Sequence, residues 1–224
     1  MFSGFFVCII ISLIINIIYA LFEPNPTNEI IISILNFVAN FFTCFGTVFI
    51  LIVHRMILQS TIVFSVKQQY RYILLYGLLL FFGMLILVLL GGIFKDLRVL
   101  DKNYLGVEID LDIESPHFGN PKWSPIFYIY VISILSALSI IPIFRTSFKI
   151  YHSLETKVLK RKWFFYLLGS IGLVSVLYMN FTDLLISFLL PNMIEFTIIY
   201  SIYGISVILW GYLMYYGIGF KLKE

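Results

Sequence analysis

The chain has 224 residues, 61% of them hydrophobic and 12% charged, with a formal net charge of +3 and a mean hydropathy of +1.00. A soluble domain carries about 25% charged residues, so this composition cannot cover a water-facing surface; it excludes an ordinary soluble enzyme and a nucleic-acid-binding domain. Its charges collect between long apolar stretches, the pattern of a multi-spanning membrane protein.

A membrane span needs about 20 apolar residues at 1.5 Å rise each. Six segments qualify: 2–22, 30–53, 72–94, 124–144, 163–190 and 193–220. The predicted fold is therefore all-α, a single polytopic helix bundle with an outer loop over 95–123. The first segment differs from a signal peptide. No Lys or Arg precedes Arg55, and Ala20 is followed by Leu21, Phe22 and Glu23, a poor cleavage site. It reads as a retained span.

Between the first two spans, Asn25–Pro26 is a helix-start pair, with Glu29 in the first turn where the helix dipole favours an acid. The second span places Asn36, Asn40, Thr43 and Thr47 at intervals of four, three and four, so they share one helical face. Amides in hydrocarbon must find partners. They either join helices by hydrogen bonds or line a pocket. Cys8 and Cys44 lie at similar depths in the first two spans. They read as small packing residues, with a neighbouring thiol pair as the other reading.

The outer loop contains VEIDLDIE, residues 107–114. Its alternation is that of a strand with one apolar and one acidic face. Residues 97–100 are a candidate partner, with 101–106 as the turn; SPHFGNPKW, residues 115–123, reads as an irregular cap. Glu108, Asp110, Asp112 and Glu114 step along one face at about 7 Å intervals. That face is a candidate for Ca²⁺ capture, or simply a solvated surface; it lacks the EF-hand pattern. His117 is too isolated for a metal site, and no metal or cofactor is expected.

Ser124–Pro125 starts the fourth span, and Pro142 is expected to kink or end it. The fifth span is long, and it either stays whole or breaks near Asn180 and Asp183, which would give seven spans. Pro191–Asn192 makes a tight turn before the sixth. Asp183 and Glu195, flanking that turn, are the carboxylates within the long spans. Ionisable groups there point to function. Asn36, Asn40, Asp183 and Glu195 are expected to converge on an outward-open, ligand-binding cavity.

Orientation follows from Lys and Arg. Segment 54–71 holds Arg55, Lys67 and Arg71; segment 145–162 holds Arg145, Lys149, Lys157, Lys160, Arg161 and Lys162; the tail adds Lys221 and Lys223. That makes eleven on one side against four on the other, Lys95, Arg98, Lys102 and Lys122. Both termini are therefore expected in the cytoplasm of a cell-membrane protein. His54 and His152 fall in the inner loops. No catalytic constellation, phosphate loop or dinucleotide motif occurs, so no enzymatic activity is expected.

Two stretches carry a resemblance: RTSFKIYHSLETKVLKRKWFFYLLGSIGL, which runs out of the fourth span, and the closing WGYLMYYGIGFKL. They resemble the helical membrane sensor regions that precede prokaryotic histidine kinases. Together with EPNPTNEIIISILNFVANFFTCFG, they look still more like stand-alone archaeal membrane proteins of unknown function. In the kinases a signalling helix follows the last span. Here Glu224 lies four residues past it, so the resemblance implies output through a partner. Three functions stand open: a sensor-like module relaying to a cytoplasmic partner through residues 145–162, a small transporter or channel subunit, and a subunit of a larger membrane complex. Nothing specifies a homo-oligomer.

Overall fold

The computed structural model of the chain describes residues 2–25, 27–96, 106–109, 119, 121–189 and 196–219. Asp110, Asp112, Glu114, His117, Glu195, the candidate strand 97–100 and the 191–192 turn lie outside the described residues, as does the side chain of Glu108.

Six helical rods carry the fold: α1 (Phe2–Tyr19), α2 (Glu29–Val63), α3 (Val66–Asp96), α4 (Pro125–Ser153), α5 (Lys157–Leu189) and α6 (Phe196–Gly219). Two three-residue strands, β1 (Val107–Ile109) and β2 (Pro121–Trp123), precede α4. Four helices are long and apolar enough to cross a membrane: Glu29–Leu58, Val66–Leu90, Pro125–Ser153 and Lys157–Asp183. The apolar parts of the other two, Ser3–Tyr19 and Ile205–Gly217, are shorter among the described residues. α5 runs unbroken through Asn180 and Asp183, so the seven-span alternative falls away.

The predicted loop at 54–71 is mostly helix. α2 continues to Val63, and α3 starts at Val66. The turn is built by local polar groups. Gln68 Oε1 accepts from Ser65 N–H at 3.1 Å, and buried Gln69 Nε2 donates to Phe64 O at 3.1 Å. Ser65-Val66-Lys67-Gln68 thus makes one half of a capping box. Segment 145–162 is likewise two helix ends joined at 154–156, where Thr156 Oγ1 accepts from Leu159 N–H at 3.3 Å. At the other end of the chain's helical hairpins, Asn25 Oδ1 accepts from Asn28 N–H at 2.9 Å just before α2. Ser124 caps α4 by accepting from Phe127 N–H at 3.2 Å, with Pro125 in the first turn.

Pro142 neither ends α4 nor breaks it. A π turn at Ser136–Ile140 comes immediately before, in which Ile141 N–H reaches back five residues to Ser136 O. Proline supplies no N–H and its ring crowds the carbonyl four residues back; the wider π turn absorbs this within a continuous helix.

β1 pairs antiparallel with β2, Val107 opposite Trp123 and Ile109 opposite Pro121. The partner of the acidic ribbon's first residues is therefore the stretch read as an irregular cap. The ladder is short, and Pro121 sits at its end, where its missing donor costs least. Trp123 is fully buried, stacked on Phe181 of α5 at 5.0 Å and edge-on to Phe127 at 4.9 Å. Gly119, with φ of 78°, passes so close to Pro24 that a Cβ there would meet its ring at 2.6 Å. The strands and the α1–α2 connection therefore close one end of the bundle together.

α2 and α4 form the centre. Phe127, Val131 and Leu135 of α4 pack with Cys44, Val48 and Leu51 of α2, with Leu80 and Met84 of α3. α1 lies antiparallel along α2: Gly46 takes Cys8 and Phe5, and Gly4 takes Phe49. α6 lies antiparallel along α5, where a Cβ on Gly169 would meet Trp210 O at 2.6 Å and one on Gly217 would meet Tyr166 N at 2.6 Å. Small residues let helix backbones meet in this way. Cys8 and Cys44 are both buried and free. The outer faces of α1, α3 and α6 are covered with exposed large apolar side chains, among them Ile17 (64%), Leu74 (61%) and Ile208 (77%). Contiguous surfaces of this kind are compatible with membrane insertion.

Candidate functional site

The predicted polar face of α2 exists, and its members bond to one another and to neighbouring helices. Asn40 Nδ2 donates to both Asn36 O at 2.9 Å and Asn36 Oδ1 at 2.8 Å. Both amides are buried. One turn on, Thr43 shares a 2.7 Å hydrogen bond with Ser12 of α1. Thr47 donates to Cys44 O at 2.7 Å and accepts from Ser139 of the π turn at 2.8 Å. Tyr76 of α3 donates to the same Cys44 carbonyl at 3.0 Å. In the π turn, Ser136 meets Tyr178 of α5. This hydroxyl network ties five helices.

A cavity of about 500 Å³ lies beside it, within the usual range for ligand pockets. Among the described residues, all rods except α3 line it. Its polar points are Ser12 and Asn16 of α1, Thr43 and Thr47 of α2, and Ser170 and Asn180 of α5. Ile140 and Ile143 of α4 and Val207, Gly211 and Met214 of α6 supply apolar wall. Asn36, Asn40 and Asp183 are not among the lining residues. The structure joins Asn36 and Asn40 as a pair. Asp183 is half-buried on α5, next to Thr182, whose hydroxyl lies 3.3 Å from that of Tyr128.

A second feature sits at the end of the bundle that carries the basic helix turns. His54 is fully buried in α2, not in a loop. Its Nδ1–H donates to Ile50 O at 2.7 Å, which leaves Nε2 as an acceptor. The ring packs against Tyr166 at 5.2 Å and Trp163 at 5.7 Å. Trp163 Nε1 donates to Ser147 O at 2.9 Å. His54 Nε2, Ser147 Oγ and Tyr166 Oη are buried, and none has a hydrogen-bond partner among the described residues. No sequence motif marks this cluster. Its members come from three helices and only the packing brings them together.

Among the described residues, no three His, Cys, Asp or Glu side chains assemble into a metal-binding group. Comparison with known proteins finds no matching family model, no matching curated protein and no matching solved structure. The site is therefore read from its own geometry.

Proposed function

We propose that this chain is a six-span membrane protein of receptor- or sensor-like type, in which a small apolar ligand occupies the cavity between the α1–α2 and α5–α6 hairpins. The observation that carries this reading is the cavity itself. It is lined from both hairpins and from the π turn of α4, so an occupant touches every helix that leads to the basic end except α3. Small residues let the helices of each pair meet closely, and π turns often mark functional positions.

In this reading that end is cytoplasmic, which the charge rule supports through its basic turns, with both termini on the same side and the strands outside. Binding shifts α5 and α6 against α2 and α4. The shift reaches residues 145–162 through Ile143, Ser147 and Trp163, and a cytoplasmic partner reads it there. The reading invokes no reaction.

Native mass spectrometry of the protein, extracted gently from its own membrane, tests this. A retained small molecule, lost when the cavity is filled by Gly211→Phe, supports the sensor. A protein that retains no molecule and no partner, yet carries flux in liposomes, overturns it in favour of a small transporter. The uncharged polar points along the cavity are the feature that favours that second reading.

A further inference from the structure

We propose that the cavity is filled sideways from the bilayer and holds a single-chain amphiphile with an uncharged, hydroxyl- or amide-bearing head. This rests on the reading that the cavity is a ligand site, and it specifies the ligand class and the route.

The route follows from the packing. Among the described residues, α1 packs along α2 and α6 packs along α5, whereas α1 and α6 make at most sparse contact with each other. Both nevertheless line the same cavity. The wall is thus open along the seam between them. The seam is marked by lining residues that are also exposed: Phe6 (50%) and Leu13 (55%) on α1, and Val207 (38%) on α6. In a membrane-spanning bundle such a seam faces hydrocarbon, not water.

The ligand class follows from the lining. Among the described residues, no charged side chain contributes to it. An anionic or cationic head placed there would be buried without a counter-charge, at a cost that ordinary binding does not recover. The hydroxyls of Ser12, Thr43, Thr47 and Ser170 are already engaged with each other or with helix carbonyls. The amides of Asn16 and Asn180 remain to meet a ligand. Both lie toward the strand end. Asn16 is one turn beyond Ser12 in the direction of Tyr19, and Asn180 adjoins Phe181, which stacks on Trp123. At the basic end the lining turns to Phe5, Ile50, Ile143 and Met214. The cavity is therefore polar at one end and apolar at the other. From Phe5 to Asn16 it follows α1 for about 16 Å at 1.5 Å per residue, room for a chain lying along the seam.

The test uses the full-length protein in phosphatidylcholine vesicles containing a monoacylglycerol with a diazirine in its acyl chain. A fatty acid carrying the same diazirine is the charged comparator. After illumination, labelled peptides are mapped by mass spectrometry. The expected result is labelling on α1 and α6 facing the seam, at least about fivefold above that by the fatty acid and suppressed by excess unlabelled monoacylglycerol. Asn16→Leu with Asn180→Leu should reduce that preference by about fivefold, the worth of one lost hydrogen bond of about 1 kcal/mol. Gly211→Phe should abolish seam labelling, since a Cβ at Gly211 has nothing within 4 Å; Gly211→Val gives a milder filling if the larger variant does not fold. Labelling spread evenly over the outer faces, including α3, overturns the proposal. So does equal labelling by the fatty acid. A water-soluble molecule retained in native mass spectrometry, with no seam labelling, overturns lateral filling and leaves the ligand-site reading standing. Seam labelling without any cytoplasmic partner removes the relay and leaves this proposal intact.

Discussion

Ser139, inside the π turn of α4, donates a 2.8 Å hydrogen bond to Thr47 of α2, and that threonine also lines the cavity. The two central helices are thus joined by a hydroxyl pair at the wall of the candidate site. The π turn that precedes Pro142 is also the segment that carries Ser139. The π turn serves the contact as well as the proline.

Ser139→Ala is expected to lower stability by about 1 kcal/mol, since buried polar pairs in membrane bundles average roughly 0.6 kcal/mol and reach about 1.7. Thr47→Val should cost more, because it also leaves the Ser139 hydroxyl without an acceptor. Thermal unfolding in detergent reads both. Wild-type melting of Ser139→Ala would mean that the pair does not contribute.

Gly169 and Gly211 face opposite fates despite similar settings in the α5–α6 hairpin. A Cβ on Gly169 would strike Trp210 O at 2.6 Å and Met214 N at 2.7 Å, both backbone atoms that cannot swing aside. Gly169→Ala should therefore push the helices apart and cost about 1–3 kcal/mol. Gly211→Ala, with open space at its Cβ, should melt like the wild type. Size-exclusion profiles and melting curves of the two alanine variants, compared side by side, decide the matter. Similar losses from both would contradict the close approach at Gly169.

The helix caps at Asn25 and Ser124 and the polar face of α2 were legible in sequence, because each depends on neighbours within one turn. The capping residues Ser65 and Gln68 carry an equally local signal. Reading segment 54–71 by its charges alone hid it, so a two-residue turn looked like a loop. His54 was misplaced for the same reason, since it stands beside Arg55 and among basic residues. Four of the cavity's six polar points, Ser12, Asn16, Ser170 and Asn180, stayed out of view for a different reason. Two lie on α1 and two on α5, outside the run of regularly spaced polar residues that marks α2, and only the antiparallel packing of α1 on α2 and α5 on α6 gathers them. The π turn has no sequence period to reveal it; Pro142 announces a disturbance but not its form.

His54 provides a test of the buried cluster. Its Nε2 has no hydrogen-bond partner among the described residues, and its Nδ1–H bond stays within α2. An unpaired buried polar atom costs about 1–3 kcal/mol. His54→Phe keeps an aromatic ring against Trp163 and Tyr166 and removes that atom. The variant should melt at the wild-type temperature or above. A clear drop, by more than a conservative ring exchange explains, would show that Nε2 has a partner in the native membrane.

Orientation is open to a direct chemical test. Thr27, before α2, and Glu155, between α4 and α5, are both exposed and lie at opposite ends of the bundle. The two natural thiols are buried and out of reach of a membrane-impermeant maleimide. Thr27→Cys should be labelled on intact spheroplasts, whereas Glu155→Cys should be labelled only after the membrane is opened. The physical ground is the cluster of Lys149, Lys157, Lys160, Arg161 and Lys162 around Glu155, since basic residues in short connections stay on the cytoplasmic side. The reverse pattern would turn the bundle over. It would place the strands in the cytoplasm and deprive residues 145–162 of any partner there. Labelling of both positions from outside would show that the chain does not cross the membrane an odd number of times between them, and α2 to α4 would need a different path.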